Sequence, residues 1–239
     1  MNAGNRTSEI ADRKPEIGNR KSGSGRRLDG LRPPAAGARP LLILISAPSG
    51  GGKTTLCNGL LAARPDVRRA ITCTTRAPRG NEQDGVDYYF LDRAAFQRRV
   101  RAGEFLEHAT VFGHRYGTLK SEVLDKLRLG KDVLLAVDVQ GAATLRRQAQ
   151  ADGQLKQALV TVFLTPPSLG ILEQRLRHRG TDAPAVIQRR LKVARQEIMR
   201  WKAFDYLLIS TSVPEDLRRL LAVVEAEKMR AARAAPPVL

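Results

Sequence analysis

The run Ser46-Ala47-Pro48-Ser49-Gly50-Gly51-Gly52-Lys53-Thr54-Thr55 follows five apolar residues, Leu41–Ile45, and leads into Leu56-Cys57-Asn58-Gly59-Leu60-Leu61. Strand, glycine-rich turn and helix is the setting that a phosphate-binding loop requires. Glycines let backbone N–H groups converge on phosphate oxygens without side chains in the way. A helix starting near Lys53 adds the positive end of its dipole. Residues Ala47, Pro48, Ser49, Gly50, Gly51, Gly52, Lys53, Thr54 and Thr55 are the expected triphosphate contacts. Lys53 would reach the terminal phosphates and the Thr54 hydroxyl would ligate a magnesium ion. The first glycine of the pattern is here Ala47, a small residue. A turn that only joined a strand to a helix would need neither the lysine nor the hydroxyl.

Four short apolar runs read as buried parallel strands: Leu41–Ile45, Val133–Val137, Leu159–Leu164 and Tyr206–Ile209. Helical patterns alternate with them at Lys53–Ala63, Thr118–Leu129, Ala142–Gln150, Ser168–Arg177 and Ala183–Trp201, and a last helix starts at Pro214. Such alternation predicts an α/β fold with a parallel core sheet covered by helices on both faces. Residues 70–117 break the pattern with spaced glycines and short alternating segments such as Asp87-Tyr88-Tyr89-Phe90. They predict a small β-rich insertion overhanging the carboxyl ends of the strands, where ligands of open α/β sheets bind.

The chain of 239 residues carries a net charge of +17. Residues 1–39 hold nine basic and four acidic side chains among Gly, Pro, Ser and Asn, and are expected to be a disordered basic tail. No apolar run approaches the roughly 20 residues needed to span a bilayer, and no secretory leader is expected. Cys57 and Cys73 are too few for a disulfide framework and fit no metal-ligand spacing. A cytoplasmic location is the default expectation. Aromatic residues are only 5% and no RNA- or DNA-binding module is present, so no dedicated nucleic-acid site is expected despite the charge.

The insertion carries its own chemistry. Thr72-Cys73-Thr74-Thr75-Arg76-Ala77-Pro78-Arg79 is followed by Glu82, Tyr88, Glu107 and Arg115-Tyr116-Gly117-Thr118. Two arginines three apart, with tyrosine hydroxyls nearby, suit a phosphate monoester. Guanine presents N1–H and N2–H₂ as adjacent donors, which a carboxylate such as Glu107 can bridge. Adenine lacks that pair. A hydroxyl at Thr72 would complete a guanine reader. Singly, each residue has a plainer alternative: surface charge for Arg76 or Arg79, a core aromatic for Tyr88 or Tyr116, an exposed strand position for Glu107.

Together these segments closely resemble the guanylate kinase family, over about residues 40–230. The resemblance implies a P-loop kinase in three parts: a core (40–69, 118–174 and 203–230), a GMP-binding region (70–117) and a helical, arginine-bearing lid (175–202). It implies that Arg76, Arg79, Tyr88 and Tyr116 hold the GMP phosphate, that Thr72, Glu107 and Thr118 surround the base, and that Glu82 and Asp138 complete the substrate site. It further implies that Arg175, Arg179 and Arg190 close over the transferring phosphoryl group beside Lys53. The implied reaction is ATP + GMP ⇌ ADP + GDP with magnesium, GMP and ATP being the partners. Departures from the family pattern are Ala136, where an aspartate is usual, Thr72 for a serine, Asn81 for a glycine, Arg115 for a tyrosine, and Ser210-Thr211, where an Asn-Asp pair usually lines the adenine pocket. A protein-binding scaffold of the same fold would need no triphosphate site, and a sugar-phosphate kinase would not need the Thr-Thr-Arg-x-Pro-Arg and Tyr/Glu set.

Overall fold

A computed structural model of the chain describes residues 39–178, 180 and 182–234. The expected tail, except Arg39, and the expected lid residue Arg179 lie outside the described residues.

Strand β1 (Leu42–Ser46) is buried along its whole length, as an unbroken apolar run demands. Its glycine-rich exit leads into α1 (Lys53–Ala63). A short strand β2 (Val67–Arg69) follows, then β3 (Thr72–Thr74), β4 (Tyr88–Phe90) and α2 (Arg93–Arg101). The chain continues through β5 (Phe105–Val111), β6 (His114–Leu119), α3 (Lys120–Arg128), β7 (Asp132–Val137), α4 (Val139–Ala151) and α5 (Gly153–Ala158). Strand β8 (Leu159–Thr165), helices α6 (Leu169–His178) and α7 (Pro184–Ile198), a 3-10 turn (Trp201–Ala203), β9 (Tyr206–Ile209) and α8 (Val213–Met229) complete it.

The core sheet has five strands in the order β2-β7-β1-β8-β9, all parallel. Alternation along β1 divides the hydrophobic core. Ile43 and Ile45 face Leu56 and Leu60 of α1 and Leu220, Leu221 and Val224 of α8. Leu42 and Leu44 face Val123 and Leu127 of α3, Leu145 of α4 and Leu155 of α5. Each strand's carboxyl end therefore opens between two helical layers, and the site forms there.

The insertion is a second sheet, β4-β3-β6-β5, in which β3 pairs parallel with β4 and antiparallel with β6. Helix α2 covers it, stacking Phe96 on Phe105 with ring centroids 4.6 Å apart.

Several sequence expectations need correcting. The core sheet has a fifth strand, because β2 is a three-residue edge strand whose two arginines hide it from an apolar search. The insertion is β-rich as expected but also holds a helix the sequence reading did not place, the short, basic α2, whose Phe96 and Val100 face the second sheet. Thr118, expected to open a helix, lies in β6, and α3 begins at Lys120. Helix α4 starts three residues earlier than expected, since Asp138 caps it by accepting from Gly141 N at 2.8 Å. Helix α7 ends at Ile198, and Trp201 is 39% exposed in the following turn. The six-residue α5, capped by Asp152, carried no recognisable signal.

Candidate active site

The loop from Ser46 to Lys53 is wrapped by its backbone. Gly51 N donates to Pro48 O at 2.9 Å, and Leu56 N to Gly52 O at 3.1 Å as the helix begins. Gly50 and Gly52 have φ of +89° and +95°, a region that other residues enter only with strain. Side chain at Gly50 would also collide with Leu176 of α6. The loop is thus shaped on its inner side by the sheet and on its outer side by α6.

Lys53 opens α1 and turns back to the sheet, donating through Nζ to Val137 O of β7 at 3.0 Å. Burial pushes its ammonium pKa down, while the carboxylates of Asp138, Glu197 and Glu107 push it up. Cys57 beside it is pushed up to about 11 by burial, so the thiol is neutral near pH 7 and supplies no counter-charge. An arriving triphosphate would strengthen the charged form of Lys53.

Two cavities flank this lysine among the described residues. The first, of about 230 Å³, is lined by Lys53, Thr54 and Asp138 on the core side and by Thr72, Tyr88, Glu107 and Tyr116 from the insertion. Arg69, Ala70, Asp87, Ala109, Val111, Ala136 and Val137 complete its wall. Glu107 is 2% exposed, against the plain alternative of an exposed strand residue. Thr118 Oγ1 donates to its Oε1 at 2.7 Å. Burial, reinforced by Asp138 and opposed by the Thr118 hydrogen bond, pushes the Glu107 carboxyl up to about 7. Gly141 of α4 lies against Glu107 so closely that a Cβ there would overlap Oε2.

Tyr88 and Tyr116 meet edge to face, 6.2 Å between centroids. Arg76 lies over the Tyr88 ring at 4.8 Å and forms a bidentate pair with Glu82 at 2.5 and 2.6 Å. That pairing holds the Glu82 carboxyl below its ordinary range. Glu82 also accepts from Arg79 N at 2.8 Å, whereas the Arg79 residue itself is exposed. Arg76, braced by Glu82, therefore backs Tyr88 from outside the cavity wall, and the Arg79 side chain is exposed beside them. Asp138 lines the cavity while both its oxygens are engaged, Oδ1 by Gly141 N and Oδ2 by Gln140 Nε2 at 3.3 Å.

The second cavity, of about 660 Å³, runs from Gly50, Gly52 and Thr55 to Arg175, Ser210, Thr211 and Asp216. Arg175 donates to Ser210 Oγ at 3.1 Å, and Ser210 Oγ donates to the buried Asp216 at 2.6 Å. Asp216 also accepts from Thr211 N at 2.9 Å, so one carboxylate shapes the loop that ends β9. Arg190 of α7 places NH1 3.5 Å from Ser49 Oγ and 3.2 Å from Asp182 Oδ2.

Sequence reasoning missed Arg69, Asp87, Asp216 and Glu197. Glu197 lies on α7 with one carboxylate oxygen buried and unpartnered, and burial pushes its carboxyl up to about 6. No local pattern marks these residues, because they reach the cavities and the loop only through tertiary packing. As for a metal, no cluster of three or more His, Cys, Asp or Glu with suitable geometry exists among the described residues. Thr54 beside Lys53 and Asp138 fits a magnesium ion held mainly by phosphates and water, the usual arrangement for that ion at triphosphates.

Comparison with known proteins converges on one group. A family model described as guanylate kinase matches residues 38–227. The chain is 46% identical over 188 residues to a guanylate kinase of Nitrosococcus oceani, covering 79% of this chain and 89% of the relative. It is 41% identical over 189 residues to one of Coxiella burnetii, covering 79% and 88%. The crystal structure of guanylate kinase from Anaplasma phagocytophilum superposes with a TM-score of 0.66 at 32% identity, covering 82% of this chain and 90% of that one.

Proposed function

This chain belongs to the guanylate kinase family and phosphorylates GMP to GDP with ATP, and we propose that the reaction runs between Lys53 and Glu107. The observation that carries this assignment is the single cavity whose wall joins Lys53 and Thr54 to Thr72, Tyr88, Glu107 and Tyr116. Glu107 reads the base by accepting from guanine N1–H and N2–H₂, with Thr118 fixing the carboxylate's rotation. Tyr88 and Tyr116 donate to the GMP phosphate, and Arg76, braced by Glu82, supplies charge beside them. Arg79 adds its guanidinium as the insertion folds over substrate.

The donor occupies the other side of Lys53. Its phosphates meet backbone N–H groups of the loop between Ser49 and Thr55, and its base enters the larger cavity beside Ser210 and Thr211. Magnesium, held at Thr54 and by the phosphates, would neutralise charge on the triphosphate. An oxygen of the GMP phosphate attacks the γ-phosphoryl group, so no side-chain nucleophile is required. This chain's own work is alignment and charge: Lys53 on the terminal phosphates, Arg190 beside Ser49, Arg175 at the seam of loop and base pocket, with Arg179 completing the set. Ser210-Thr211 and Asp216 do at the base pocket what an Asn-Asp pair would otherwise do. The buried thiols of Cys57 and Cys73, both free, suit a reducing compartment such as the cytoplasm. No helix among the described residues is long and apolar enough to cross a membrane.

Steady-state turnover of GMP against AMP, with ATP as donor, tests the assignment. GMP is the expected acceptor. In Glu107→Gln, kcat/KM for GMP is expected to fall roughly 10- to 1,000-fold, since each hydrogen bond to a charged acceptor contributes about 1.5–3 kcal/mol. KM for ATP should hardly move. Equal turnover of AMP, or an unaltered GMP preference in the variant, removes Glu107 as the base reader.

A further inference from the structure

Phe112 and Gly113 form the two-residue turn between β5 and β6, where Val111 pairs with His114. Their φ values are +48° and +81°, the pattern of a type I′ turn. Phe112 is the one non-glycine residue with positive φ among the described residues. Such turns favour Asn, Asp or Gly at this place, and a bulky residue there is strained. Its ring does not compensate by entering the core, being 50% exposed. It meets instead a cation from another part of the molecule: the Arg190 guanidinium of α7, 5.6 Å from the ring centroid.

We propose that Phe112 is a positioning residue that holds Arg190 over the phosphate loop and so joins the guanine-reading hairpin to the arginine-bearing helix. The proposal rests on Arg190 acting in phosphoryl transfer, as argued above. A guanidinium donates hydrogen bonds in its plane and offers its faces to aromatic rings. The guanidinium carbon lies over the Phe112 ring, a contact that takes up no N–H donor in a hydrogen bond. NH1 has two neighbours, Ser49 Oγ at 3.5 Å and the ion-pair partner Asp182 Oδ2 at 3.2 Å, and neither is a tight hydrogen bond. Asp182 Oδ2 is held to Arg190 by charge and accepts no well-aligned hydrogen bond. Arg190 is thus stationed but not saturated, and phosphoryl oxygens can claim its N–H groups. Phe112 sits one residue beyond β5, the strand that carries Glu107, and one turn from β6, which carries Tyr116. GMP seated on Glu107 and Tyr116 fixes this hairpin, and the hairpin tip fixes Arg190. Occupancy of the acceptor site is thereby conveyed to the donor side. Strained backbone at a half-exposed aromatic that touches such a residue is the observation that points from strain to function.

Phe112→Asn separates the two roles a residue here could have, because Asn suits the turn and cannot hold the arginine. The expected result is a melting temperature equal to or above that of the parent, with kcat for GMP phosphorylation down roughly 3- to 10-fold. KM for GMP and ATP should each stay within about 2-fold, the energy being lost in orientation. Phe112→Tyr, which keeps an aromatic face, should restore kcat. In an Arg190→Ala background, Phe112→Asn should change kcat no further. Parental kcat in Phe112→Asn overturns the proposal, as does a full additional loss in the Arg190→Ala background. So does a kcat that falls only in step with the melting temperature. If Arg190→Ala itself leaves kcat unchanged, it is the role of Arg190 that fails, an outcome distinct from a failure of Phe112 alone.

Discussion

Lys53 illustrates how position outweighs identity at the residue scale. A half-buried lysine at the head of a helix loses hydration, and that loss alone would favour its neutral form. Three carboxylates and the Val137 carbonyl hold it instead at the junction of loop and sheet. Lys53→Ala is expected to fold and to lower kcat by well over 10-fold, since such contacts contribute several kcal/mol in the transition state. Retention of more than about a tenth of parental kcat would contradict the assigned role. Glu107 adds a dependence on pH. The folded protein holds its proton up to about pH 7, whereas an unfolded carboxyl releases it near 4.5. Stability linked to this group is therefore full below about pH 4.5 and is lost as pH rises through about 7. Guanine binding needs the ionised carboxylate and so runs the other way: kcat/KM for GMP should rise between pH 6 and 8. The Glu107→Gln variant supplies the control, because titration of the GMP phosphate persists in it. A rise of the same size in both proteins would assign the pH effect to the substrate.

At the scale of elements, one contact sets the acceptor site: α4 crossing β5 at Gly141 and Glu107. Asp138 starts α4 immediately after β7, and the third residue after that cap must lack a side chain for Glu107 to lie where it does. Gly141→Ala gains helix propensity of about 1 kcal/mol and meets a buried carboxylate, and overpacking costs about 1–3 kcal/mol. The expected outcome is a modest loss of stability with KM for GMP raised several-fold and KM for ATP unchanged. Thermal melts with paired KM measurements check it, and equal shifts in both KM values would mean that α4 moves as a whole. The shorter elements show why pattern reading fell short. β2 and α2 are held by what they pack against, β2 by its pairing with β7 and α2 by Phe96 on Phe105. Their own sequences, Val67-Arg68-Arg69 and Arg93–Arg101, are short and dominated by arginines, so the few apolar side chains in them are easily passed over.

Across the whole molecule, chemistry and anchoring occupy opposite ends of the sheet. The carboxyl ends of the core strands carry the phosphate loop and both cavities. The amino ends carry a buried ion cluster. Lys228 of α8 reaches Asp132 at 2.5 Å and Arg39 O at 3.2 Å, and Asp132 accepts from Leu41 N at 2.8 Å. Glu227 pairs with Arg233, which donates to Gln157 O and Leu159 O. Lys228→Ala leaves Asp132, 3% exposed, without its counter-charge. The loss should be about 3 kcal/mol, or roughly 6–12 °C in Tm for a chain of this size. Both KM values at 25 °C should match the parent, since the cluster lies across the sheet from the site. A change in KM for either nucleotide would show that the two ends are coupled.

The sequence by itself determined the phosphate loop, the central strands and the flanking helices, because contiguous residues with a fixed backbone chemistry carry their own pattern. Through its resemblance to one family it also named residues that the fold brings together, Thr72, Tyr88, Glu107, Tyr116 and Asp138 around the cavity beside Lys53. Tertiary structure alone decided the rest. Glu107 is buried where α4 packs against it at Gly141, and that burial, with Asp138 nearby, pushes its carboxyl up. Glu197 and Asp216 reach the loop and the base pocket from helices whose surface patterns give no sign of it. Phe112 meets Arg190 across 78 residues of chain, counted from their positions. Desolvation and non-local contact depend on which surfaces meet, and no local run of residues encodes that meeting.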